Sequence, residues 1–177
     1  MLKKVLITIA CLGLLISLGL AVRHFSVNSR GNNNIINTAP LFAASLTDVQ
    51  GLKQNLSQYK GKIIVLNFWA TWCPPCREEM PALSQLYQEY QNKNVVVLGI
   101  AIDELALVKD FLLSSPVNYP ILISDNESMD LSTELGNDKD VLPYTVIINA
   151  DGNVIDTFFG RISKQLLETT IQALLSR

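Results

Sequence analysis

The stretch GKIIVLNFWATWCPPCREEMPAL, Gly61 to Leu83, holds three signals in immediate succession. Ile63 to Trp69 is an almost unbroken run of β-branched, aliphatic and aromatic residues, the pattern of a strand buried on both faces. Cys73 and Cys76 follow, separated only by Pro74 and Pro75. From Pro75 to about Asn92 the apolar residues Met80, Leu83, Leu86, Tyr87 and Tyr90 then recur at three- and four-residue intervals, which predicts an amphipathic helix with a kink at Pro81. A cysteine pair therefore sits where a buried strand gives way to a helix.

The chain around this stretch has 177 residues and a net charge of -2, enough for one ordinary domain and an appendage. With a pI near 5.4 and no Lys/Arg cluster beyond Lys3-Lys4, it lacks the electrostatic footprint of a nucleic-acid-binding protein. The cysteines are Cys11, Cys73 and Cys76. The single histidine, His24, precedes the expected domain, which excludes histidine chemistry there.

Val5 to Val22 is apolar apart from Thr8, Ser17 and the glycines, and follows Lys3-Lys4. At about 1.5 Å per residue such a helix reaches roughly 27 Å, close to the hydrocarbon thickness of a bilayer. Residues 1–22 are expected to be a membrane anchor with a cytoplasmic N-terminus, placing the rest on the periplasmic or extracellular side. Gly19-Leu20-Ala21 leaves open a removable signal peptide. A lipoprotein reading through Cys11 fits less well, because the apolar run continues past it, and the plain reading of Cys11 is a small apolar residue of the anchor. The Asn- and Ser-rich residues 23–38 read as a flexible linker, and residues 39–177 as the domain.

Within the domain, Leu41 to Leu46 and Val49 to Leu52 suggest a hairpin, and NVVVLGIAI a second buried strand. Glu104 to Leu113 reads as helical, Tyr119 to Ile123 as extended, and Ser128 to Leu135 as a helix stopped by Gly136. YTVIINADGNVIDTFFG reads as two strands about the Asp151-Gly152 turn, and Ile162 to Leu175 as a closing amphipathic helix. Strand–helix alternation followed by a hairpin predicts an α/β fold with a central mixed sheet flanked by helices.

Gly61 to Leu83, together with VLPYTVIINADGNV, Val141 to Val154, resembles the thioredoxin fold and, within it, the TlpA/ResA-like membrane-anchored thiol-disulfide oxidoreductases. The likeness spans roughly Pro40 to Arg177, with the hairpin as an N-terminal extension. It implies an active-site carboxylate at Glu79, whose plain alternative is a solvated helix charge, as at Glu78. It also implies a cis-proline at Pro143 and substrate contact through the Leu142 backbone. Trp72 is expected to shield the cysteine pair and, with Pro74 and Pro75, to face substrate. Trp69 is expected in the core. Asn67 stands where cytoplasmic thioredoxins carry a buried acid.

Elementary chemistry assigns the sulfurs. At the start of a helix Cys73 lies where unpaired N–H groups and the macrodipole favour a thiolate, so it is the expected nucleophile. Cys76, within the same turn, is placed to resolve a mixed disulfide. The prolines remove donors that a first turn leaves unpaired anyway. A zinc site would need two further ligands that the domain does not supply, and a disulfide closing so short a loop would stabilise little. No metal or cofactor is expected. A peroxidase would need a proline-threonine-cysteine spacing this chain lacks, and a copper-delivery module a wider cysteine spacing and a histidine.

These readings converge on an exported, membrane-tethered oxidoreductase that reduces disulfides in partner proteins. The resemblance implies apocytochrome c as a client and a membrane electron donor of the DsbD/CcdA type. An oxidant would use the same residues with the equilibrium reversed.

Overall fold

The computed structural model describes residues 36–124 and 129–176, of which 129 and 130 by their backbone alone. The expected anchor, Cys11, His24 and residues 23–35 of the linker lie outside the described residues. No helix among the described residues is long and apolar enough to cross a membrane.

The centre of the molecule is built on β3 (Ile63–Trp69), every residue of which is buried. It pairs in parallel with β4 (Val95–Ile102) and antiparallel with β6 (Tyr144–Ile148). Alternate side chains of β3 enter opposite layers, Ile63, Val65 and Trp69 on one side and Ile64, Leu66 and Phe68 on the other. Burying one such side chain contributes about 1.5–3 kcal/mol, so this strand anchors both layers. Further out come β5 (Ile121–Ser124), parallel to β4, and β7 (Val154–Phe159), antiparallel to β6. With β1 (Ser45–Asp48) and β2 (Lys53–Asn55) they form one seven-stranded mixed sheet in the order β2-β1-β5-β4-β3-β6-β7.

The first layer is covered by α2 (Pro74–Tyr90), α3 (Leu105–Ser114) and α5 (Lys164–Leu175), which contribute Met80, Leu83, Leu86, Val108, Leu167 and Ile171. The second is covered by α1 (Ala39–Ala43), a 3-10 turn over Leu56–Tyr59, and α4 (Met129–Glu134). Helix α2 runs through Pro81 as one element. It begins one residue before the expected Pro75, because the fixed φ of Pro74 suits a first helical position.

Two local expectations are corrected. Leu41 to Ala43 is helical rather than extended, with Pro40 in the opening turn, where proline is favoured. The hairpin is consequently displaced to β1 and β2. Its turn is set by Asp48, whose Oδ1 accepts from the N–H groups of Gln50 and Leu52, both at 2.9 Å, with Gly51 at φ +86°. Residues 36–38 are packed, with Ile36 against the second layer and Thr38 Oγ1 donating to the Gly152 carbonyl at 2.6 Å.

Gly99 lies opposite Asn67 on β4, and an added Cβ would stand 3.0 Å from Tyr119 Cε2, 3.1 Å from Trp69 Nε1 and 2.6 Å from Ile121 Cδ1. The isoleucine tip can turn away, but the two buried rings cannot. Gly99→Ala is therefore expected to lose about 1–3 kcal/mol by overpacking, read from urea unfolding of the disulfide-intact protein.

Candidate active site

Cys73 occupies the N-cap of α2, with extended backbone at φ −97° and ψ 101°, and its carbonyl accepts from Arg77 N–H at 3.2 Å. Its sulfur is bonded to that of Cys76. Because positions 74 and 75 are prolines, the N–H of Cys76 is the first free backbone donor of the helix. The two cysteines differ slightly in access. Cys73 is 5% exposed and Cys76 fully enclosed, so a reaction partner arriving from solvent meets Cys73 first.

The turn leading into Cys73 is fixed from the side. Thr71 donates to the same oxygen of Asp103 through its N–H, at 3.1 Å, and through its hydroxyl, at 2.5 Å. The other oxygen of Asp103 accepts from Glu104 N–H at 2.9 Å, at the N-cap of α3. One carboxylate thus ties the cysteine-bearing turn to the start of a helix. Sequence reading missed Asp103. Its position directly after β4, the strand beside β3, is the signal that could have found it.

Glu79 is 2% exposed and is no solvated charge. Its Oε1 accepts from Asn67 Nδ2 at 2.7 Å and its Oε2 from Ile162 N–H at 2.9 Å. Burial pushes the carboxyl up to about 7, against the lowering effects of these two donors and of Arg161. Three residues along the helix from Cys76, Glu79 lies on an adjoining part of the same buried side. The second proton of the Asn67 amide goes to Thr145 Oγ1, at 3.1 Å across the β3–β6 pairing. Thr145 and the Ile162 N–H were also missed, since only the closed sheet and the packed β7–α5 turn bring them to Glu79. Burial pushes the Tyr119 hydroxyl up, with a smaller contribution from the charge of Glu79. Glu78, by contrast, is exposed and paired with Arg161 at 2.5 Å.

Trp72 is 66% exposed beside the cysteine pair, and Pro74 and Pro75 are exposed on the first turn of α2. Trp69 is buried, its ring 5.5 Å from that of Phe111. The Leu142–Pro143 bond is cis. Pro143 is buried and its carbonyl accepts from Gly160 N–H at 2.8 Å, whereas the N–H and carbonyl of Leu142 have no hydrogen-bond partner among the described residues.

A mixed sheet carrying a bonded cysteine pair at the strand-to-helix junction, with a cis-proline opening the neighbouring strand, defines a thioredoxin-fold thiol-disulfide oxidoreductase. The chain belongs to the Redoxin family, whose model matches residues 36–175. It is 35% identical over 135 residues to a thiol-disulfide oxidoreductase ResA of Bacillus cereus, covering 76% of this chain and 75% of that protein. Over 173 residues it is 30% identical to the ResA of Geobacillus thermodenitrificans, covering 97% and 96%. Among solved structures it resembles a thiol:disulfide interchange protein of the thioredoxin family from Chlorobium tepidum. There the TM-score is 0.65 and the identity 28%, over 75% of this chain and 92% of that one.

Proposed function

We propose that this enzyme works as a reductant of protein disulfides, tethered to the outer side of a membrane by residues 1–22. In the forward cycle the Cys73 thiolate attacks a client disulfide, forming a mixed disulfide and releasing one client thiolate. The Cys76 sulfur then attacks Cys73, the second client thiolate leaves, and the enzyme is left with the Cys73–Cys76 bond. Glu79 receives the proton that Cys76 gives up as it attacks. A dithiol donor in the membrane, of the DsbD/CcdA type, returns the pair to the reduced form. Apocytochrome c, whose haem-attachment cysteines must be reduced, is the client class that the TlpA/ResA-like resemblance suggests.

The observation that carries the direction is the buried carboxyl of Glu79 on the same side of α2 as Cys76. Once ionised, it opposes a thiolate beside it. Disulfide oxidants of this fold are strong because their reduced form is stabilised, and a charge that disfavours the thiolate acts in the opposite sense. Equilibrating the full chain in glutathione or dithiothreitol buffers and trapping free thiols gives the test. A potential below about −200 mV is expected, and one near −120 mV would make the enzyme an oxidant instead.

A further inference from the structure

Beside Cys73 a groove of about 630 Å³ runs between α2 and the end of α3. Pro74, Arg77, Glu78 and Pro81 form one wall, and Phe111 and Val117 lie on the other side. We propose that this groove holds the client polypeptide next to its reacting cysteine, and that it selects an extended segment carrying an apolar residue and an acidic one. The inference rests on the reading of Cys73 as the attacking sulfur.

Length is the first argument. From Pro74 to Pro81 the helix advances by about 10 Å, the span of roughly three residues of extended chain. Because Cys73 immediately precedes Pro74, a client joined to that sulfur has its neighbouring residues at the mouth of the groove. Charge is the second. Glu78 is paired with Arg161, whereas Arg77 is exposed and forms no ion pair among the described residues, which leaves the groove one uncompensated positive charge. A carboxylate in the bound segment would pair with it.

Rigidity is the third. Phe111 rests on the buried Trp69, Pro74 and Pro81 limit one wall, and Asp103 ties the cysteine-bearing turn to the start of α3. A surface already fixed in this way loses little conformational freedom when a chain binds. The groove lies on the α2–α3 side of the sulfur, while the Leu142 backbone, without a hydrogen-bond partner among the described residues, belongs to the loop leading into β6, so the two can hold different parts of one client.

The test uses the full chain in detergent with Cys76→Ser, so that captured peptide stays on Cys73. Short peptides carry one cysteine as a mixed disulfide with thionitrobenzoate. The Cys73 thiolate attacks the peptide sulfur, the new disulfide joins the two cysteines, and thionitrobenzoate leaves and is read by its absorbance. Each rate is divided by that for 2-hydroxyethyl disulfide, which cancels any change in the reactivity of Cys73 itself. A peptide with Asp and Leu beside its cysteine is expected to react about tenfold faster than one with Lys and Leu at low salt. Arg77→Glu should reverse that order, and Ser115→Trp, which fills the groove without altering charge, should level it. If the order persists in both variants while the small disulfide still reacts, the groove assignment is overturned alone. If neither peptides nor small disulfide react, the assignment of Cys73 as attacking sulfur falls, and the groove with it.

Discussion

With Cys73 replaced by serine, disulfide exchange should fall by roughly a thousandfold or more, because a hydroxyl at neutral pH supplies no anion to attack sulfur and the enclosed Cys76 cannot take over. Cys76→Ser should behave differently. It keeps the accessible sulfur at the helix N-cap, so it should capture a client once and then stall with the client attached, since nothing within the same turn can release it. Turnover assays and non-reducing gels of the two variants separate these outcomes. Normal turnover by Cys73→Ser would mean that the exposure difference between the sulfurs does not decide which one reacts.

The second large effect concerns pH. Burial holds Glu79 at about 7 in the folded protein, against an ordinary 4.5. Between those values the native state keeps a proton that the unfolded chain has released, so the stabilisation is complete below pH 4.5. It is lost as pH rises through 7, by roughly 3 kcal/mol in all. Urea midpoints of the disulfide-intact protein should accordingly decline from pH 5 to pH 8, and Glu79→Gln should flatten that decline. Equal slopes in parent and variant would move the pH dependence to another group. The same titration should appear in the exchange rate of the parent as an inflection near pH 7 that the variant lacks.

Much of this was legible in the chain itself, for physical reasons that differ from element to element. Ile63 to Trp69 could be read because a strand buried on both faces has no polar side to interrupt it, and the Asp151-Gly152 turn because Gly152, at φ +85°, occupies the left-handed region. The helix start at Cys73 followed from proline chemistry. Leu41 to Ala43 misled because a short apolar run carries no period long enough to separate strand from helix, and only the position of Pro40 argued for the latter.

At the site, the cysteine pair was evident from spacing alone, whereas the surroundings of Glu79 were not. Asn67 and Ile162 meet that carboxyl from 12 and 83 residues away in sequence, and such contacts exist only once β3, α2 and the β7–α5 turn are packed together. The Asp103 bracket is of the same kind, joining positions 32 apart. Local patterns thus disclosed where the sulfur chemistry sits, and the closed sheet determined which polar groups serve it.

The displaced hairpin has a consequence for how molecules of this enzyme coexist at high local density. Without β1, the backbone edge of β5, whose side chains are all buried, would face outward as a template for another chain. With the hairpin in place the outermost strand on that flank is β2, only Lys53–Asn55, carrying an exposed lysine. A short charged border is a poor site for edge-to-edge stacking, so the segment that looks like a decorative extension acts as a guard against aggregation.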